Sequence, residues 1–149
     1  MGLDMYLSRK IEMPQTEVNI PDAPTKDLMM AGSILFTDPV VYVTQLVMYW
    51  RKDNHIHNWF VENVQNDQDD CKDYYCSIDH LKHLLSLINT VLNTPYMASE
   101  ALPTKEGFFF GGTEYDQYYF ESLKTTKAGL ELIIEAHQPN YTYEYSSSW

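Results

Sequence analysis

Apolar and polar positions alternate from the start of the chain. Met5 and Leu7 lie on one side of residues 3–8, which predicts a first β-strand. Residues 11–33 break the pattern. Pro14, Pro21 and Pro24 interrupt any period in a polar stretch, so a long irregular loop or insertion is expected there. Residues 40–50 are rich in β-branched and aromatic side chains and read as a second strand. Asp38-Pro39 could instead cap and open a helix, and the strand reading is favoured. Over residues 54–64, Ile56, Trp59, Phe60 and Val64 share one helical face, so a short helix is predicted, followed by a polar loop at 66–72.

The clearest helix comes next. Ser77 is its cap, Leu81, Leu84, Leu85, Ile88, Val91 and Leu92 are its apolar stripe, and Pro95 lies just beyond its end. Residues 102–105 form a connector. Residues 107–112, Gly-Phe-Phe-Phe-Gly-Gly, read as a short buried strand ending in a turn. Thr113 with Asp116 resembles a capping box and would open a helix running to about residue 137, with Tyr119, Leu123, Leu130 and Ile133 or Ile134 inward. Tyr141, Tyr143 and Tyr145 alternate with polar residues, as in a last strand with one aromatic face. The expected fold class is α+β: one domain over 1–149, with a small, mostly antiparallel sheet and two or three packed helices.

Composition adds charge and aromaticity. Twenty-one acidic against 10 basic residues give a net charge of −11. Such a surface repels nucleic acid and anionic membranes at long range, which argues against both as partners, short of nucleic-acid mimicry. No apolar run is long enough to span a bilayer, and Met1-Gly2-Leu3-Asp4 lacks the basic and apolar stretches of a signal peptide. Two cysteines are too few for a disulfide framework and read as reduced thiols in a cytoplasm. Aromatic residues make up 14% of the chain. They serve equally for a core or for a surface that stacks on a flat ligand.

Candidate chemistry is sparse. Cys71, Cys76, His80 and His83 invite a zinc reading, but their spacing is not a common ligand pattern, and no metal is expected. His55 and His57 would share a face on a strand but diverge on a helix, so one is expected in a pocket and the other in solvent. No nucleophile elbow, P-loop or dinucleotide fingerprint is present, no catalytic residue is assigned and no cofactor is implied. Gly111-Gly112-Thr113 precedes a helix N-terminus, where a structural turn accounts for it. The most distinctive segment is Tyr49-Trp50-Arg51-Lys52-Asp53-Asn54, which concentrates aromatics and cations in a chain short of cations. Arg51 and Lys52 could grip phosphate beside stacking rings, or neutralise the chain's own carboxylates.

The opening Met-Gly-Leu-Asp-Met-Tyr-Leu, Tyr49-Trp50-Arg51-Lys52 with Asn54, Ile56-His57 and Trp59-Phe60-Val61 resemble a family of small bacteriophage and prophage proteins. So do Asp69-Asp70-Cys71, Leu102-Pro103-Thr104, Gly107-Phe108-Phe109-Phe110-Gly111, Tyr115-Asp116 with Tyr118-Tyr119, and Ser147-Ser148-Trp149. The resemblance runs from end to end. It departs at Cys76, where Val would be expected, and residues 11–48 look individual to this chain. The family has no settled activity, so the resemblance implies a setting, the cytoplasm of an infected bacterial host, rather than a mechanism.

Three functions compete. The first is a counter-defence protein that binds and sequesters a nucleotide-derived immune signal, with Tyr49, Trp50, Arg51, Lys52, Asn54, His57, Phe109 and Tyr115 as ligand-binding residues. Trp50, Arg51, His57, Phe109 and Tyr115 would converge on one pocket. The second is an acidic inhibitor directed at a host defence protein. The third is a small hydrolase using His57 as general base. A non-enzymatic reading is favoured, and a homo-oligomer is compatible with it.

Overall fold

The opening alternation becomes the centre of a sheet because both neighbours share its register. The computed structural model describes residues 2–13 and 41–149. Strand β1 (Asp4–Met13) pairs antiparallel with β2 (Val41–Arg51) on one side and β4 (Tyr141–Ser148) on the other. A short β3 (Tyr74–Cys76) pairs with β4, giving the order β2-β1-β4-β3. Met5 lies opposite Trp50 and Ser147, and Leu7 opposite Met48 and Tyr145. The two-residue period therefore collects these side chains on one face. Register shifts between Leu7 and Ser8, where Val47 is the extra residue of a bulge in β2.

Four helices complete the described residues: α1 (Asn54–Asn63), α2 (Ile78–Asn93), one-turn α3 (Ala98–Ala101) after a 3-10 turn at Pro95–Met97, and α4 (Gln117–Glu135). Leu3, Met5, Leu7, Trp50, Tyr143 and Tyr145 of the sheet share one buried core with Ile56, Phe60, Leu81, Leu84, Ile88, Leu123 and Leu130 of the helices. The other face of the sheet leaves Tyr49 and Tyr75 exposed. This is the expected α+β arrangement, an antiparallel sheet backed by helices in a single domain.

Local signals explain most boundaries. The Ser77 hydroxyl accepts from His80 N–H, and His80 Nδ1 accepts from Ser77 N–H, both at 3.2 Å. That is a reciprocal capping box with histidine in the usual Glu or Gln place. Helix α4 begins later than its expected cap. Asp116, not Thr113, is the N-cap, its carboxylate accepting from Tyr119 N–H at 3.1 Å. The Thr113 carbonyl is instead taken by the Thr104 hydroxyl. Strand β1 extends through residues 11–13, which the proline-based reading assigned to a loop. The rest of that expected loop, 14–33, lies outside the described residues.

Residues 107–112 are not a strand. Phe110 N–H bonds back to Gly107 O at 3.2 Å, closing a turn, and Phe109 sits at φ +63°. The Asn54 amide donates to Phe110 O and Gly112 O, occupying carbonyls that a ladder would have needed. Gly111, at φ +97°, is required: a Cβ there would lie 2.8 Å from the Lys52 carbonyl oxygen.

The aromatic core needs polar ties. Trp50 donates its indole N–H to the Thr126 hydroxyl at 2.8 Å, both residues being buried, which fastens β2 to α4. Thr126→Val should leave that N–H unpaired and cost about 1–3 kcal/mol, whereas Thr126→Ser should cost less. Urea unfolding of the two variants distinguishes a hydrogen-bond effect from one of packing.

Candidate functional site

Helix α1 is the hub, since every residue from 54 to 60 is buried. The expected single apolar face therefore understates it: its polar side chains are enclosed too, and each needs partners. Asn54 is fully used. Besides its two donations it accepts from Lys105 N–H at 3.0 Å, so it fixes the 105–112 segment instead of facing a ligand.

His57 lies at the centre of a chain of hydrogen bonds. Its Nδ1 is 2.7 Å from the Tyr145 hydroxyl and its Nε2 is 3.0 Å from Asp69 Oδ2. A carboxylate only accepts, so Nε2 carries the proton and Nδ1 accepts from Tyr145. Burial pushes the Tyr145 hydroxyl well above its ordinary range, keeping it a donor. Burial also lowers the His57 pKa, and Asp69 only partly opposes this, so the ring is neutral near pH 7. The Trp149 indole donates to the other oxygen of Asp69 at 2.9 Å, bringing the C-terminal residue into the same network.

Two clefts flank α1. The smaller, of about 170 Å³, is lined by Lys52, Asn54, His55, Gly112, Glu114, Asp116, Tyr118 and Tyr119, among others. The larger, of about 350 Å³, is lined by His57, Asn58, Asp67, Asp69, Lys105, Glu106, Phe108, Phe110 and Trp149, with Val61 and Gly107. Trp149 stands edge-on to Phe110 at 5.8 Å between ring centres, and is 52% exposed. Phe108 is 79% exposed. The larger cleft thus combines open aromatic faces with three carboxylates and one cation.

The residues expected to bind a ligand are spread over several surfaces. Lys52 and Asn54 line the smaller cleft and His57 the larger. Trp50 is in the core. Tyr49 and Arg51 lie across the sheet from the helices. The Tyr49 hydroxyl bonds to Asp4, and Arg51 Nε is 3.9 Å from the same carboxylate. Phe109 is exposed on its turn, its carbonyl accepting from Leu3 N–H. Tyr115 packs on Tyr119 at 5.0 Å and accepts from Thr104 N–H. Trp50, Arg51, His57, Phe109 and Tyr115 therefore do not share either cleft.

Both histidines of the His-Ile-His sequence are buried, not one buried and one in solvent. His55 packs on Tyr119 at 4.4 Å, and burial lowers its pKa to about 3. Nor do the cysteines and His80 gather: Cys71 is exposed, Cys76 is buried, and His80 is committed to its helix cap. Among the described residues no three His, Cys, Asp or Glu side chains are placed to hold a metal ion.

Asp69, Lys105, Phe108 and Trp149 were not singled out as site residues. The folding of 66–73 and of the 147–149 segment onto α1 unites them; Asp69, Phe108 and Trp149 carried only the signal of membership of the Asp-Asp-Cys, Gly-Phe-Phe-Phe-Gly and Ser-Ser-Trp blocks, and Lys105 carried none. Among the described residues no helix is long and apolar enough to cross a membrane. Comparison with protein-family models, curated proteins and solved structures finds no significant match.

Two expectations follow. Tyr145→Phe should leave His57 Nδ1 buried without a donor and cost about 1–3 kcal/mol in denaturant unfolding. Acidification should also destabilise the fold. The folded pKa values of His55 and His57 are depressed, so the stability present above their ordinary 6.5 is lost as pH falls from there toward about 3 for His55. Within that window His55 should contribute up to about 1.4 kcal/mol per pH unit, and His57 acts in the same direction. A melting temperature independent of pH between about 7 and 5 would contradict this.

Proposed function

We propose that this chain is a binding protein whose larger cleft receives a planar ring carrying hydrogen-bond donors, such as the base of a nucleotide-derived immune signal. The observation that carries this reading is the joining of Trp149 and Phe108, both open to solvent, to the acceptors Asp67, Asp69 and Glu106 in one cleft. Stacking on an aromatic side chain contributes about 1–3 kcal/mol per base. Carboxylates accept from the exocyclic amines of bases. The same carboxylates repel phosphate, so the phosphates of such a ligand lie toward Lys105 and the cleft mouth.

A general-base role for His57 is disfavoured in this reading, because both of its nitrogens are engaged by Tyr145 and Asp69. In an infected bacterial host, the setting that the resemblance implies, the consequence of binding is sequestration: the signal is held and not consumed.

Titration with nucleosides, nucleotides and cyclic dinucleotides, followed by calorimetry and tryptophan fluorescence, tests this. Trp149 is the exposed indole, Trp50 and Trp59 being buried, so a ligand in the cleft should change its emission. Trp149→Ala should weaken binding by at least about tenfold while far-UV circular dichroism shows the fold retained. Lys105→Ala should weaken only phosphate-bearing ligands, and Arg51→Ala should leave affinity unchanged. Failure of all these ligands to bind at millimolar concentration would overturn the reading and favour a protein-directed inhibitor.

A further inference from the structure

Among the described residues, the edge of the sheet formed by β2 carries one usual protective device, the bulge at Val47, and little else. Edge strands present unpaired backbone groups, and monomeric proteins blunt them with charges, proline or short length. Strand β2 has none of these over residues 41–50: Val-Tyr-Val-Thr-Gln-Leu-Val-Met-Tyr-Trp contains no charged residue and no proline, in a chain that is 21% charged. It is the longest strand of the sheet, and among the described residues no other strand pairs with its outer edge. Tyr42, Val43, Leu46 and Tyr49 are all about half exposed or more, on both faces of the strand.

We propose that β2 is the interface between two copies of this chain, pairing antiparallel across a two-fold axis so that the two sheets become continuous. Charge selects this occupant. Two bodies of net charge −11 repel over most of their surfaces. The uncharged strand is where a second copy approaches without adding like charges, and an antiparallel strand pair about a two-fold is self-complementary. A basic partner would instead be steered to the carboxylate-bearing surfaces. Dimerisation leaves the clefts beside α1 open, since none of their lining residues belongs to β2.

Light scattering and sedimentation on the whole chain test this. The wild type should be dimeric at about 100 µM, and its dissociation constant should fall between about 20 mM and about 0.5 M salt as the repulsion is screened. Leu46→Glu and Val43→Glu each place like charges beside the axis at an exposed position. Each should weaken the dimer by at least about tenfold while leaving far-UV circular dichroism unchanged. Should either variant misfold, hydrogen exchange on the wild type decides: protection of β2 amides should rise with protein concentration. A monomeric wild type at that concentration, or a dimer that persists in both variants, would overturn the proposal. So would a monomer with protected β2 amides, which would mean that the chain's own residues cover the edge.

Discussion

The contact between Tyr145 of β4 and the first two turns of α1 organises this molecule. The Phe60 ring lies parallel to Tyr145, 5° from coplanar with 3.9 Å between ring centres. One turn earlier, His57 Nδ1 accepts a hydrogen bond from the Tyr145 hydroxyl. A single tyrosine therefore contributes its apolar face to the core and its polar end to a buried hydrogen bond. This is what allows an aromatic strand to sit against a helix whose first two turns are buried, polar side chains included. Because His57 then donates to Asp69, and Asp69 accepts from Trp149, the contact also draws in the 66–73 segment and the C-terminus. Without the tyrosine hydroxyl, His57 Nδ1 is a buried acceptor with no donor.

Asn54 does the corresponding work at the other end of α1. Its side chain meets Phe110 O, Gly112 O and Lys105 N–H, so the 105–112 segment is held by one residue. That anchoring permits two costly features, Phe109 in the left-handed region and Phe108 largely in solvent. The larger cleft lies between these anchored regions, with His57, Asp69, Phe108, Phe110 and Trp149 in its lining. Its shape is therefore a consequence of how α1 satisfies its buried polar groups.

How much of this was legible in the sequence follows from the range of each interaction. Strands β1, β2 and β4 and the apolar stripes of α2 and α4 follow from period and neighbours, and so they were readable. The 107–112 segment was misread because its run of phenylalanines has the composition of a buried strand. Its conformation is decided by Asn54, some fifty residues earlier in the chain. β3 is three residues long and leaves no period to detect. Of the site, His57 was visible as a buried candidate. Its partners Asp69, Tyr145 and Trp149 were not, because one sits in a polar loop and the others in the final strand and terminus, joined only by folding. The basic pair Arg51-Lys52 drew attention through scarcity alone, and Arg51 faces Asp4 across the sheet from the helices.

His57 is a neutral tie with both nitrogens engaged, Nδ1 by Tyr145 and Nε2 by Asp69. Nitrogen NMR of imidazole-labelled protein measures this directly. One tautomer is expected at neutral pH, with Nε2 protonated and Nδ1 a hydrogen-bond acceptor, and a titration midpoint below the ordinary 6.5. A His57 that exchanges between tautomers, or titrates at or above 6.5, would show a ring free to take a proton and would contradict the account.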